Sequence, residues 1–441
     1  MTRAPFLPLL LGCALLVHGC AERTEPANLL LISIDTLRAD HTGLYGYERD
    51  TTPNLDAFFA GGTVFERVTA SAPCTLPSVP QFLTGSYEIE GGRPLLAEIL
   101  RERGYATAAV VSQHQFDPSL RRLPKRKRMA SLVQRGFDVF DMQQPSELDD
   151  LSMTTRSARA VTRGGLAWLD EWDGRRPFFL WLHYFDPHDP YEPPADHRAF
   201  DAGNTSQRTG DRRGYLQLER RSPEESWREA GYVFDEADVA HFVNLHDGEI
   251  HFTDFEIGRV LAALEAKRLV RSTVVALISD HGEFLGEGGR WDHCTSVLEP
   301  ELAVPLAIRD RGRPVAGAAR VAIPASTVDL VPTLLALLGV GAPDGGFDGV
   351  DLRSAGERPL FSAWKNAASV RRGRWKLVRD ESVALYDLES DPHETRDRLA
   401  DEPERGQQLA AELDHFLEAH PALILQNQEI HEQLRELGYV E

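Results

Sequence analysis

Cysteine is scarce in this sequence. Its 441 residues include four cysteines, and two of them, Cys13 and Cys20, lie in an apolar N-terminal stretch. Four cysteines are too few for a disulfide scaffold. Only Cys74 and Cys294 remain for the body of the chain, and they are either two thiols or one disulfide.

An excess of basic residues is also missing. The chain has 48 Lys and Arg against 68 Asp and Glu, a formal net charge of −20. This charge argues against nucleic acid as a partner. It does not exclude an anionic substrate, because one bound metal ion can reverse the sign of a local site. The exception is the basic run Leu120–Arg128, interpreted as a solvated loop, with attraction of a polyanionic substrate as the alternative.

No segment after the N-terminus is long and apolar enough to cross a bilayer. At the N-terminus, Arg3 precedes an apolar run that stops near Gly19, which is typical of a signal peptide. Val17–Cys20 resembles a bacterial lipobox, in which the cysteine is lipidated after the leader is removed. We therefore expect a lipoprotein-type signal at residues 1–19 and an exported protein held on the cell envelope, periplasmic side or surface, by a lipid on Cys20. An ordinary secretory signal is the alternative.

Short apolar runs alternate with helical patterns, which indicates an α/β protein with a doubly wound, mostly parallel sheet. The predicted buried strands are Leu29–Ile34, Ala108–Val111, Phe178–His183, Thr273–Ser279 and Val304–Ile308. The predicted helices between them include Asp254–Lys267 and Val328–Leu338.

The pattern changes near Gly345. Trp375–Arg379 and Val383–Asp387 are predicted as antiparallel strands, and Pro403–His420 as an amphipathic helix. We therefore expect a large domain over residues 28–344 and a small C-terminal α+β domain over residues 358–441. The polar segment Asp201–Tyr232 is interpreted as an inserted loop, either a surface excursion or a cover for the site.

Acidic or imidazole groups follow the predicted strands. Asp35, His114, His188 and the pair Asp280-His281 each come soon after one of them. Ligands of open α/β sheets gather beyond the carboxyl ends of the strands. We therefore expect these side chains to line one crevice.

The types of these side chains suit a divalent metal. Asp and His are metal ligands, and a His disfavours Mg²⁺, which leaves Ca²⁺, Mn²⁺ or Zn²⁺. Asp280 and His281 can reach one ion only if the backbone turns, and Gly282 permits such a turn.

A hydroxyl group is available as a nucleophile. Pro77 suits the first turn of a helix and Gly85 its end, which places Thr75 near the helix N-terminus, where an anion is favoured. Metal coordination can activate a Thr hydroxyl. A simple N-cap role for Thr75 is the alternative.

Motifs along most of the chain resemble those of the sulfatase family, in the alkaline phosphatase superfamily. The resemblance extends over about residues 28 to 441. The segments that carry it are Ile34–His41, Tyr45–Tyr47, Thr52–Asp56, Thr75–Ser78, Leu83–Gly85, His183–His188, His246–Ile250, Asp254–Arg259, Ser279–Glu283, Asp329–Thr333, Leu385–Leu388 and Leu434–Tyr439.

The resemblance implies an alkaline-phosphatase-like fold, a catalytic role for the large domain and roles for individual residues. One divalent ion, Ca²⁺ in typical members, would be held by Asp35, Thr75, Asp280 and His281, with no organic cofactor. Thr75 takes the nucleophile position. The histidines His114, His188 and His293 fall at positions that contact the substrate or protonate its leaving group.

The sequence departs from the family pattern at several positions. Members that convert Cys to formylglycine need Cys-x-Pro-x-Arg, and from Cys74 those places hold Leu76 and Ser78. This predicts an unmodified Cys74 and a Thr-nucleophile type of member. The other departures are Thr36, Val79, Ser112 and Gly288, and they leave fewer groups to face the anion.

The function predicted is metal-dependent hydrolysis of sulfate esters, with a sulfated or phosphorylated small molecule or glycan as the substrate. The alternatives are a phosphodiesterase or phosphonate monoester hydrolase on the same fold, and a degenerate surface protein that binds sulfated glycans. His41, His183 and His246 are interpreted as structural residues.

Overall fold

The computed structural model of the chain describes residues 26–89, 92–112, 116, 131–142, 157–203 and 235–436. Cys20, His114, the run Leu120–Arg128 and most of the predicted loop Asp201–Tyr232 lie outside these residues. Within them, no helix has the length and apolarity needed to cross a membrane.

The strands of the described residues form one large sheet, one small sheet and one short ribbon. In chain order they are β1 (Asn28–Ile34), β2 (Thr63–Thr69), β3 (Ala106–Val111), β4 (Val139–Asp141), β5 (Phe178–Tyr184), β6 (Thr273–Ser279), β7 (Phe284–Leu285), β8 (Trp291–Asp292), β9 (Leu306–Asp310), β10 (Arg313–Pro314), β11 (Arg320–Ser326), β12 (Leu360–Trp364), β13 (Ala367–Arg372), β14 (Trp375–Arg379) and β15 (Val383–Asp387).

The helices lie between these strands and at the C-terminus. They are α1 (Pro53–Phe59), α2 (Thr75–Thr84), α3 (Leu96–Glu102), α4 (Ala158–Glu171), α5 (Glu236–Ala266), α6 (Glu299–Leu302), α7 (Leu330–Leu338), α8 (Pro403–Ala419) and α9 (Pro421–Glu436).

The large sheet has the order β11-β2-β9-β6-β1-β5-β3-β4, with β10 paired to β9. Strand β1 is parallel to both of its neighbours, with Leu31 opposite Trp181 of β5 and Ala276 of β6. Strand β9 is antiparallel to β6 and to β2. The mostly parallel α/β sheet predicted from the sequence is therefore confirmed.

The apolar core lies on both faces of this sheet. Leu29 and Leu31 of β1 belong to one buried cluster, and Leu30 and Ile32 belong to the other. Because successive side chains of a strand point to opposite faces, a strand covered on both sides is apolar throughout. This explains the continuous run of leucine and isoleucine in β1.

The prediction for β9 was displaced by two residues. The strand predicted at Val304–Ile308 begins at Leu306. Pro305 has no backbone N–H to give to a ladder, so pairing starts after it.

The helix predicted at Asp254–Lys267 is only the second half of α5. The helix begins at Glu236, and the Asp235 side chain caps it by accepting the N–H of Asp238 at 2.9 Å. The first half buries polar residues such as His246 and Asp247, so it lacks the apolar periodicity that identified the second half.

The C-terminal region forms an antiparallel sheet, β12-β13-β14-β15, with α8 and α9 beside it. The predicted strands β14 and β15 have the bounds expected, and the predicted helix ends one residue early, at Ala419. Strand β12 also supports the segment that leads to α2, since Ser362 Oγ donates to the carbonyl oxygen of Ala70 at 2.6 Å.

Candidate functional site

The ends of the central strands bring three buried ligand-type side chains together. Asp35 follows β1, and Asp280 and His281 follow β6. The Asp35 N–H donates to the carbonyl oxygen of Tyr184 at the end of β5, at 2.9 Å. One ligand atom from each of Asp35, Asp280 and His281 lies within 4.8 Å of the others.

Thr75 joins this group from the N-terminus of α2. It is the first residue of the helix, with Cys74 in the N-cap position and Gly85 ending the helix at φ 67°. Its Oγ1 lies 3.2 Å from His281 Nε2 and 3.5 Å from Asp35 Oδ1. The structure thus places the predicted nucleophile against the predicted metal ligands.

His281 presents an unprotonated nitrogen to the site. Its Nδ1 lies 2.9 Å from the carbonyl oxygen of Gly282, which can only accept, so Nδ1 carries the proton. Nε2 therefore offers its lone pair beside Asp35 Oδ1 and Asp280 Oδ2, at 3.5 and 3.6 Å. Such a backbone partner on the second nitrogen is typical of a metal-bound histidine.

The two carboxylates differ in how their pKa values are shifted. Burial and the nearby Asp35 charge raise the pKa of Asp280 well above its usual value. Burial opposes ionisation of Asp35 as well, but the imidazoles of His188 and His281 outweigh it and lower the pKa of Asp35. Asp280 Oδ2 is buried without a hydrogen-bond partner among the described residues. Two oxygens, an imidazole nitrogen and a hydroxyl around one point fit a divalent cation.

Gly282 is needed for a reason other than the one predicted. A Cβ at this position would lie 2.3 Å from the carbonyl oxygen of Pro300 and 3.0 Å from Arg38 Cγ. The close approach of the Pro300 backbone, and not a special turn conformation, therefore excludes a side chain there.

His188 has a carboxylate partner. Its Nδ1 is 2.9 Å from Asp189 Oδ1, and its Nε2 has no hydrogen-bond partner among the described residues. Burial favours the neutral ring, but the Asp189 carboxylate outweighs it and raises the pKa of His188 to about 9. The ring therefore carries a proton at neutral pH.

His293 also lies beside carboxylates, although its Nδ1 makes no hydrogen bond among the described residues. Its Nδ1 lies 2.9 Å from Asp292 Oδ1 and 3.8 Å from Glu283 Oε2. Its ring is stacked on His281, with centroids 4.8 Å apart, and its edge meets His188 at 4.7 Å. Burial opposes its charge, but Asp292 and Glu283 hold the pKa of His293 well above its usual value.

The acidic partners of these histidines were not identified from the sequence. Asp189 and Asp292 are direct chain neighbours of His188 and His293, and that adjacency was a usable signal. Glu283 was noted only as part of a motif. The structure shows that it accepts from Tyr191 Oη at 2.7 Å and lies 3.5 Å from His246 Nε2.

Other predicted residues lie elsewhere or were not described. His114 is outside the described residues. His183 is fully buried in β5 with its Nδ1 2.8 Å from Ser33 Oγ, as expected for a structural histidine. Val79 is buried in the apolar core. His41 Nδ1 lies 2.8 Å from Asp247 Oδ1.

Cys74 and Cys294 form a disulfide, with their Cα atoms 4.9 Å apart. The sequence left open whether these cysteines are two thiols or one disulfide, and the structure shows the disulfide. The Cys74 sulfur is bonded, while the neighbouring Thr75 hydroxyl faces the ligands.

The comparisons with known proteins show the family of the chain. The sulfatase family model matches residues 27–340. A choline-sulfatase of Rhizobium meliloti is 25% identical over 90% of this chain and 87% of its own length, and an arylsulfatase of Clostridium perfringens is 22% identical over 83% and 89%.

Solved structures share the fold. A protein solved in complex with its substrate D-glucosamine-2-N,6-O-disulfate superposes with a TM-score of 0.72 at 18% identity, covering 89% of this chain and 98% of its own. The phosphonate monoester hydrolase of Agrobacterium radiobacter gives a TM-score of 0.68 at 22% identity, covering 91% and 96%. With the family model matched over most of the chain, this protein belongs to the sulfatase family and is a hydrolase of that family.

Proposed function

We propose that the protein hydrolyses sulfate esters with Thr75 as its nucleophile and one divalent cation at Asp35, Thr75, Asp280 and His281. The observation that carries the proposal is the position of Thr75 Oγ1, 3.2 Å from His281 Nε2 and 3.5 Å from Asp35 Oδ1. A hydroxyl at the first residue of a helix, beside two carboxylates and an imidazole, is placed for attack on an anion.

The disulfide supports a threonine rather than a modified cysteine. Formylglycine formation needs a free cysteine thiol, and the sulfur of Cys74 is bonded to Cys294. Thr75 is the adjacent residue whose side chain faces the ligand group. A bound divalent cation would supply acidity to the hydroxyl and neutralise charge on the ester oxygens.

The chain's own groups supply the rest of the reaction. Thr75 Oγ1 gives its proton to Asp35 Oδ1, its acceptor at 3.5 Å, attacks the sulfur in line and forms a sulfo-threonine, while the bond from sulfur to the alcohol oxygen breaks. His188 or His293, both held in the protonated form by carboxylates, gives a proton to the departing oxygen. Water then cleaves the sulfo-threonine and restores the hydroxyl.

The test is a pair of variants at position 75, assayed on 4-nitrophenyl sulfate, together with the mass of the peptide around Cys74. Thr75→Ala should lose on the order of 10³-fold in kcat, a barrier increase of about 4 kcal/mol. Thr75→Ser keeps a hydroxyl and is the matched control, expected to retain part of the activity. Intact mass should show an unmodified peptide around Cys74. An aldehyde at position 74, or a fully active Thr75→Ala protein, would refute the proposal.

A phosphonate or phosphate diester hydrolase is the second candidate. Its support is the fold shared with the phosphonate monoester hydrolase of Agrobacterium radiobacter. Parallel assays with 4-nitrophenyl sulfate, 4-nitrophenyl phenylphosphonate and bis(4-nitrophenyl) phosphate rank the three esters by kcat/KM. A protein that turns over none of them but binds sulfated glycans would be a degenerate binding protein.

The proposal includes export and a lipid anchor at Cys20. A disulfide persists in oxidising compartments such as the bacterial periplasm and is rare in the cytosol, so the Cys74–Cys294 bond supports a location outside the cytoplasm.

A further inference from the structure

The loop that carries His293 is held on its C-terminal side by the buried Glu301, which accepts from the N–H groups of Thr295 and Ser296 at 2.9 and 2.8 Å. On its N-terminal side it enters from β8, a two-residue strand that pairs with β7 in the short ribbon. Asp292 and Cys294, on either side of His293, have φ angles of 76° and 61°. Residues with a side chain rarely adopt this left-handed region and stay there only where the surroundings hold them.

The disulfide is one of the contacts that fix this part of the chain. Cys74 directly precedes Thr75 and Cys294 directly follows His293, so one covalent link joins the neighbours of both groups. Beside the link, the Cys294 N–H donates to the carbonyl oxygen of Pro73 at 3.0 Å. Both cysteines are buried.

A residue of the C-terminal sheet makes a second contact that fixes Cys294. Trp364 of β12 is fully buried and its Nε1 donates to the carbonyl oxygen of Cys294 at 2.5 Å. Cys294 is therefore fixed at its N–H, its carbonyl oxygen and its sulfur, and this leaves the adjacent His293 ring stacked over His281.

We infer that the Cys74–Cys294 disulfide is a positioning element that keeps His293 over the reacting ester, and that the oxidised protein is the fully active form. The inference rests on the proposed function, since it gives His293 a part in the reaction at Thr75. It adds a redox requirement to that site. The two cysteines act through His293 and touch neither substrate nor metal.

Reduction should release the loop. A phosphine reductant such as tris(2-carboxyethyl)phosphine gives two electrons to the disulfide, the two sulfurs become thiols with protons from water, and the phosphine takes the oxygen as its oxide. Without the link, Asp292 and Cys294 can leave the left-handed region, and His293 moves off His281 and His188.

The kinetic signature depends on the leaving group. A displacement of about 1 Å in a catalytic group costs on the order of 10²-fold in rate. The loss should appear with alkyl sulfates, whose leaving oxygen needs a proton, and be small with 4-nitrophenyl sulfate, which needs none. A disulfide that only stabilises the fold would lower both rates equally or neither.

The experiment compares the full-length protein with Cys294→Gly and Cys74→Ser, each with and without the phosphine. Glycine suits the positive φ at position 294, so Cys294→Gly removes the link without adding strain. We expect the unreduced wild type alone to be fast on alkyl sulfates, and both variants to be slow and insensitive to the phosphine. Variants as fast as the wild type on alkyl sulfates would overturn the inference.

A readout without turnover separates this inference from the proposed function. Diethyl pyrocarbonate labels accessible imidazoles, and His293 should be labelled after reduction and in Cys294→Gly, while the fully buried His183 stays unlabelled as the control for unfolding. If His293 stays protected in folded Cys294→Gly protein, the positioning role is wrong. If His293 becomes labelled but no ester is hydrolysed in either redox state, the positioning role stands and the proposed function fails.

Discussion

Ser78 Oγ donates a hydrogen bond of 2.6 Å to the carbonyl oxygen of Asp280. This contact joins the helix that carries Thr75 to the loop that carries Asp280 and His281. Both residues are fully buried.

Loss of the Ser78 hydroxyl should lower kcat. Ser78→Ala leaves the Asp280 carbonyl without its donor, at a cost of about 1 kcal/mol, and allows Thr75 to shift from its partners. The matched control is Thr84→Val, which removes a hydroxyl bonded to the Pro80 carbonyl at 2.8 Å in the same helix, far from the site. Both variants should lose stability in urea unfolding, but only Ser78→Ala should lose about tenfold or more in kcat. Equal kinetics in the two variants would contradict this role.

Metal content should depend on Asp280 and not on Asp247. The described residues contain a second group, His41, His246 and Asp247, whose ligand atoms also lie within 4.8 Å of one another. There Asp247 is already neutralised by Arg49 at 2.7 Å, so it has less need of a cation. Elemental analysis of folded protein should give one divalent ion for the wild type and for Asp247→Asn, and close to none for Asp280→Asn. A fully loaded Asp280→Asn protein would refute the ligand assignment.

The rate on alkyl sulfates should fall as pH rises through about 9. The pKa of His188 is raised to about 9 by Asp189, and a proton donor acts only below its pKa. Asp189→Asn removes the negative charge, lowers the pKa of His188 and should move the descending limb to lower pH. The fall in rate at high pH should be small with 4-nitrophenyl sulfate, whose leaving group needs no proton. If Asp189→Asn does not change the pH at which the rate falls, the descending limb belongs to a group other than His188.

Lys376 should matter more for stability than the partly exposed Arg379 on the same strand. Lys376 is fully buried in β14 with Glu299 and Glu394 each 2.9 Å from its Nζ. Lys376→Met leaves both carboxylates without this partner and should cost about 3 kcal/mol in the free energy of unfolding. Arg379→Met, which breaks the more exposed pair with Asp414 at 2.7 Å, should cost less than about 1 kcal/mol in the same urea titration.

Membrane attachment should require Cys20. If this residue carries the lipid, Cys20→Ala moves the protein from the membrane fraction to the soluble fraction of the cell envelope, because each buried CH₂ contributes about 0.8 kcal/mol to anchoring. The check is fractionation with detergent release, with Cys13→Ala as the matched control that should stay in the membrane. An unchanged distribution of Cys20→Ala would exclude the anchor.

The buried centre of the fold could be predicted from the sequence because its signal is local. Strands β1, β5 and β6 are covered on both faces and so appear as continuous apolar runs, and the residues that follow them point into one crevice. Strand β2, in contrast, has Glu66 exposed in its middle and was missed. A strand with an exposed charged residue in its middle is not a continuous apolar run, so the sequence does not identify it.

The contacts that complete the site are not local. The partners of Cys294 are Cys74 and Trp364, and no spacing in the sequence indicates that either lies beside it. The surroundings of Glu283 likewise depend on Tyr191 and His246, which are distant from it in the sequence.

The contacts that Cys294 makes with Cys74 and Trp364 have a consequence for truncation of the chain. Trp364 lies in β12, in the sheet that also supports Ala70 through Ser362, whereas Asp35, Asp280 and His281 all precede that sheet. We expect a chain that stops before β12 to keep every metal ligand and to lose the Trp364 contact to Cys294 and the Ser362 contact to Ala70. Such a chain would hold its metal ligands without a finished site.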